Sequence, residues 1–215
     1  MKLTSLCLAL CATLTALATA QDKPSSSADQ GKLWDDLVAG NGRYVSGKPN
    51  ARDLVSDRIK LAKTQSPKVG VLACADSRLA PELVFDKTLG DLFVVRSAGN
   101  SPDPIAIGSF EYAVEHLGTT MIVVMGHESC GAVKEACSGE KMPTQNLEAV
   151  VQPIQVSCKL AKEKDVEPAT RDHVHQAAQA LLAGSPILKQ RVQEKKVEIV
   201  EAYYSLGSGK VERLK

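Results

Sequence analysis

Cys74, His127 and Cys130 are the residues of this sequence best suited to hold a transition metal. Two thiolates and an imidazole form a soft ligand set that suits tetrahedral zinc and disfavours magnesium or calcium. Cys74 opens the stretch Cys74-Ala75-Asp76-Ser77-Arg78. His127 and Cys130 lie in His127-Glu128-Ser129-Cys130-Gly131. Neither stretch is specific alone. Their placement is the stronger signal, because each closes an apolar, strand-like run. A Cys74–Cys130 disulfide would use the same cysteines but leave His127 and Asp76 unexplained. A purely structural zinc site gathers its ligands on tight loops without an ionisable neighbour. Here Arg78 stands two residues after Asp76 and can hold that carboxylate off the metal. A fourth position would then fall to water, the arrangement of a catalytic zinc.

Bringing the two stretches together requires neighbouring strands. Four runs have the composition of buried strands: Val69–Cys74, 92–96, 121–126 and 197–203. The first three lack strict alternation, as parallel strands covered on both faces require. Helical patterns lie between them. Residues 105–117 end at Gly118. Residues 146–164 form a helix that Pro153 breaks or kinks. Residues 169–182 follow, and Ser185-Pro186 caps a helix over 187–195. The alternation predicts an α/β fold with a mainly parallel central sheet of about four to five strands flanked by helices. In such sheets ligands bind beyond the carboxyl ends of the strands. Ahead of the sheet, residues from Lys32 on carry Trp34, Leu37 and Val38 near helical spacing. This N-terminal helical arm is expected to end around Gly40 and Gly42, with a second short helix after it.

The chain has 215 residues and a formal net charge of +1. That length builds one domain with a sizeable core. The scattered basic residues argue against nucleic acid as a partner. Residues 1–20 read as a signal peptide: Lys2, an apolar stretch, then Ala18-Thr19-Ala20 before cleavage at Gln21. The expectation is export, to the periplasm or as a secreted protein, with no membrane association after cleavage. Residues 21–31 read as a flexible linker and 32–215 as the zinc domain. Four cysteines remain after cleavage. Cys137 and Cys158 either pair in an oxidising compartment or stay as buried thiols; sequence alone supports both.

These motifs resemble the β-class carbonic anhydrases, in the plant-like branch. The resemblance is carried by Cys74-Ala75-Asp76-Ser77-Arg78, ELVFD (82–86), DLFVVRSAGN (91–100), EYAVEHLG (111–118) and GHESCGAVK (126–134). The ending AYYSLGSGKVERL (202–214) is similar to that family's last strand and hairpin.

The resemblance implies zinc-dependent, reversible hydration of carbon dioxide to bicarbonate and a proton by a zinc-held hydroxide. It implies Cys74, His127 and Cys130 as zinc ligands and Asp76 with Arg78 as the catalytic dyad. Asp76 is then a fourth ligand only in a closed state. Gln65, Phe93 and Tyr112 match substrate-binding positions. The family forms homodimers or larger homo-oligomers with active sites at the subunit interface, so pocket residues can come from the partner chain. Two alternatives use the same residues: hydrolysis of carbonyl sulfide or carbon disulfide, and a noncatalytic zinc-stabilised module. Among the remaining histidines, His116 reads as a helix-terminal residue, and His173 and His175 as surface residues.

Overall fold

In the computed structural model, residues 27–161 and 165–215 are described; the segment 1–20, read from sequence as a signal peptide, lies outside them. Strand β1 (Val69–Cys74) runs parallel to both β2 (Leu92–Ser97) and β3 (Met121–His127). β3 pairs in parallel with β4 (Glu198–Tyr204), and β5 (Val211–Arg213) turns back antiparallel, giving the order β2-β1-β3-β4-β5. Every residue of β1 and β3 is buried. This is why their sequences are continuous apolar runs: both faces are covered.

Side chains leave a strand alternately to its two faces, and the core divides accordingly. Val71, Ala73, Met121, Val123 and Met125 pack on one side with Leu37, Phe85 and Ile154. Leu72, Ile122 and Val124 pack on the other with Phe110, Val174, Leu181 and Leu188. The latter four come from α4 (Pro104–His116), α7 (Glu167–Gly184) and α8 (Pro186–Gln193). Among the described residues, no helix is long and apolar enough to cross a membrane.

The arm differs from the sequence expectation at both ends. Helix α1 spans Ser27–Val45, so it begins inside the stretch 21–31 read as linker and passes through Gly40 and Gly42 without a break. Gly40 serves close packing, not termination: a Cβ there would lie 1.9 Å from the Phe85 carbonyl oxygen. Asn41, buried one residue on, donates to the carbonyls of Val84 and Gly209 and accepts from the Val211 N–H. The arm is thereby fastened to the β4–β5 hairpin.

Beyond β3 come α5 (Gly131–Ser138), α6 (Gln145–Val151) and a 3-10 helix over Gln152–Leu160. The change of helix type falls at Pro153, which has no N–H to continue the α-helical ladder. Cys137 of α5 and Cys158 of the 3-10 helix form a disulfide, with Cα atoms 5.0 Å apart. The bond closes a loop with a sequence separation of 21. On the chain-entropy model a loop of that length is worth about 3 kcal/mol. Reducing it, or the Cys137→Ser substitution, should lower unfolding stability by roughly that amount. Chemical denaturation with and without reductant measures the difference.

Candidate metal centre

The carboxyl ends of two adjacent central strands create the site. β1 delivers Cys74 and β3 delivers His127 to the same edge of the sheet, because the strands are parallel and in register (Ala73 opposite Met125). The chain then turns through Ser129, which holds a left-handed φ of 54°, and reaches Cys130 in extended conformation at the N-cap of α5. That turn points the second thiol back towards the first. The ligand atoms of Cys74, His127 and Cys130 all lie within 4.8 Å of one another, and all three residues are buried. Ligands at about 2.3 Å for sulfur and 2.0 Å for nitrogen would sit about 3.5–3.8 Å apart around a tetrahedral zinc. The cluster needs little rearrangement to accept an ion.

The state of His127 tests the fit. Its Nδ1 lies 2.8 Å from the Glu128 carbonyl oxygen, an acceptor, so Nδ1 carries the proton. Nε2 then presents a bare lone pair, fully buried and without a hydrogen-bond partner among the described residues. Leaving a buried polar atom unmade costs about 1–3 kcal/mol. A cation between the ring and the two sulfurs removes that cost, and the Nδ1–H bond fixes ring and tautomer for it, as metal-bound histidines require. The Cys130 S–H donates to Cys74 and, with the Gly99 N–H 3.4 Å from its sulfur, holds the Cys74 thiol well below the usual thiol range. Cys130, as the donor, is pushed up, and burial adds to the rise.

Asp76 stands at the rim. Its Oδ2 lies 4.0 Å from His127 Nε2. Arg78 grips the carboxylate with two side-chain bonds, Nε to Oδ1 at 2.9 Å and Nη2 to Oδ2 at 2.6 Å; its backbone N–H adds a third at 2.9 Å. This fork holds the Asp76 carboxyl well below the usual carboxylate range. Arg78 also reaches the Ser129 carbonyl at 3.4 Å, tying the two motifs together.

Two positioning contacts carry no motif in the sequence. Arg96 of β2 donates to the carbonyls of Cys74 and Asp76 at 3.0 and 2.7 Å. Glu128 accepts from the Ser205 hydroxyl and the Gly207 N–H, both at 2.9 Å, and so anchors the ligand loop to the β4–β5 hairpin. His173 requires a correction: it is 1% exposed, not a surface residue. The signal was present in the pattern, since His173 shares a helical stripe with Ala169, Ala177 and Leu181.

Gln65, Phe93 and Tyr112 do not line the ligand cluster of their own chain. Gln65 is exposed in the loop that enters β1, at the amino end of a strand whose carboxyl end holds Cys74. Phe93 pairs with Gly70, whereas Cys74 pairs with Ser97, four residues further along. At about 3.3 Å per residue, Phe93 is offset from the site by roughly 13 Å along the sheet. Its ring packs edge-on against Phe110. Tyr112 is 49% exposed on α4, beside the His116 ring. The reading of these three as pocket residues fails for a single chain, because the motif residues flank opposite ends of the sheet.

A family model described as carbonic anhydrase matches residues 69–211, which include every ligand and both members of the Asp76–Arg78 pair. The chain belongs to the carbonic anhydrase family. Carbonic anhydrase 2 of Mycobacterium tuberculosis is 38% identical over 184 residues, covering 82% of this chain and 89% of that protein. The carbonic anhydrase of Mycolicibacterium smegmatis is 36% identical over 186 residues, covering 83% and 90% respectively. Among solved structures, a tetrameric β-carbonic anhydrase from Sordaria macrospora superposes with a TM-score of 0.68 at 22% identity, covering 85% of this chain and 97% of that one. The fold of this carbonic anhydrase is thus that of the β-class.

Proposed function

We propose that this carbonic anhydrase reversibly hydrates carbon dioxide to bicarbonate and a proton, using zinc held by Cys74, His127 and Cys130. The observation that carries the reading is the buried, unpartnered Nε2 of His127 facing two cysteine sulfurs. Bound there, zinc supplies a Lewis acid that brings the pKa of water from 15.7 to about 7, a shift documented for the three-histidine carbonic anhydrases. The protein supplies direction. Asp76, ionised and fixed by Arg78, accepts the hydrogen of the attacking water and so aims its lone pair at the substrate carbon. Arg78 keeps that carboxylate charged and oriented through its two-pronged bond.

Gln65, Phe93 and Tyr112 enter this reading from a second copy of the chain. Several features support a homodimer or larger assembly: the half-exposed Tyr112, the 78% exposed Ile105 on the same helix, and the position of β2 at the sheet edge. The Sordaria neighbour is itself tetrameric. Two aromatic rings would wall a pocket for a small nonpolar gas, and the Gln65 amide would donate to one of its oxygens.

Purified protein should contain about one zinc per chain and accelerate carbon dioxide hydration in a stopped-flow indicator assay. Metal-free protein with full activity would reject the reading. We further propose export to the periplasm or beyond; the Cys137–Cys158 disulfide supports an oxidising compartment. Mass spectrometry of the mature chain should then find Gln21 at its N-terminus, and an intact Met1 would contradict export.

A further inference from the structure

Cys74 Sγ accepts a backbone hydrogen bond from Gly99 at 3.4 Å. The donor faces the sulfur because the 3-10 turn Ala98–Asn100 passes through the left-handed region, at φ 73° for Gly99 and 45° for Asn100. Glycine adopts this conformation freely, but a residue with a Cβ pays about 1–2 kcal/mol for it. The turn therefore needs support from outside. Ile154 and Ala132 wall one side, with atoms 2.6 and 3.1 Å from where a Gly99 Cβ would stand. The polar support comes from α7: His173 Nε2 lies 2.8 Å from the Gly99 carbonyl oxygen and 3.2 Å from the Ser101 hydroxyl.

A carbonyl only accepts, so Nε2 carries the proton. Nδ1 is left bare, buried and without a partner among the described residues. Burial pushes the imidazole pKa down, which keeps the ring neutral. An apolar side chain would fill the same space without stranding Nδ1, a cost of about 1–3 kcal/mol. What the imidazole adds is one fixed N–H on the Gly99 carbonyl.

We propose that His173 is a positioning residue of the metal centre: by holding the Gly99 carbonyl through Nε2–H, it fixes the left-handed turn that aims the Gly99 N–H at the Cys74 sulfur. The hydrogen bond on that sulfur then sets its orientation and how much charge it donates to the ion. The inference rests on the zinc reading above.

Full-length His173→Leu and His173→Gln proteins test it in two assays: zinc competition against a chromophoric chelator, and the sulfur-to-metal charge-transfer absorption of the cobalt(II)-loaded proteins. Partners that orient metal ligands are typically worth 10–100-fold in affinity. His173→Leu should lose about 10-fold or more in zinc affinity and shift the cobalt band, while His173→Gln, whose amide reaches the same carbonyl, should return to within about threefold. A Leu variant that melts lower yet binds zinc and absorbs as the wild type would reduce His173 to packing and overturn the proposal. If the Leu variant does not fold, the wild type decides through its imidazole nitrogen-15 shifts. A neutral Nε2–H ring with a coupling to the Gly99 carbonyl upholds the proposal, and an Nδ1–H or charged ring ends it. Wild-type protein that takes up no zinc sinks the metal reading and this inference together. Wild-type zinc binding beside an indifferent Leu variant sinks this inference alone.

Discussion

Cys74→Ser should leave a folded protein that neither retains zinc nor hydrates carbon dioxide. The fold argument is local. Serine is nearly isosteric with cysteine, and its hydroxyl can still accept from the Gly99 N–H that now reaches the sulfur. The rest of β1 is buried between its two neighbouring strands and unaffected. The metal argument is chemical. A serine hydroxyl stays neutral where the thiol gives up its proton, so the ion loses one of two negative ligands. Zinc binding by small protein sites is worth about 10–16 kcal/mol; a quarter share, about 3–4 kcal/mol, corresponds to a loss of about 100–1000-fold in affinity. Metal content after dialysis and hydration rate should fall together. Cys137→Ser is the control: it breaks the disulfide but touches no ligand, so it should weaken stability and keep the metal. Full hydration by metal-free Cys74→Ser protein would show that the cysteine–histidine cluster is not the centre of the chemistry.

The parts of this architecture legible in sequence share one property, a local pattern with a single physical cause. The runs ending at Cys74 and His127 are apolar without alternation, which only strands covered on both faces tolerate. Their neighbouring ends then follow from parallel pairing. Other features depend on what a residue meets across the fold. Gly40 reads as a helix stop, yet it admits the Phe85 carbonyl inside a continuous α1. Arg96 carries no motif because its acceptors are main-chain carbonyls, which every residue has. His173 reads as a surface residue when set beside His175, two positions on; the informative comparison is with Ala169 and Ala177, the apolar positions four residues away on either side. The Cys137–Cys158 pairing is not legible in sequence, since only the chain path through the Pro153 break sets the distance between the two residues. For Gln65, Phe93 and Tyr112, a motif identifies residue types and is silent about which copy of the chain supplies them.

Asp76→Asn should keep its zinc and lose about 100–1000-fold in turnover, the range typical of losing one preorganised hydrogen-bonding group at a reaction centre. Cys74, His127 and Cys130 are untouched by the change, so metal content should stay at the wild-type level. What disappears is a charge and an acceptor. In the wild type both carboxylate oxygens accept from Arg78. An amide offers one oxygen, and its NH2 would face an arginine that only donates, so the fork breaks and the side chain loses its aim. The pH dependence follows from the sign of the shift. Arg78 lowers the Asp76 pKa, so the carboxylate is ionised above that depressed value and its contribution disappears only as pH falls through it. The ratio of wild-type to Asp76→Asn activity should therefore stay flat from about pH 5 to 9, above the ordinary aspartate value of about 3.9. A ratio that shrinks towards pH 5 would place the Asp76 titration there and contradict the arginine fork. Loss of zinc in Asp76→Asn would instead make Asp76 a ligand. Unchanged turnover would remove it from the reaction altogether and leave a zinc site without its steering group.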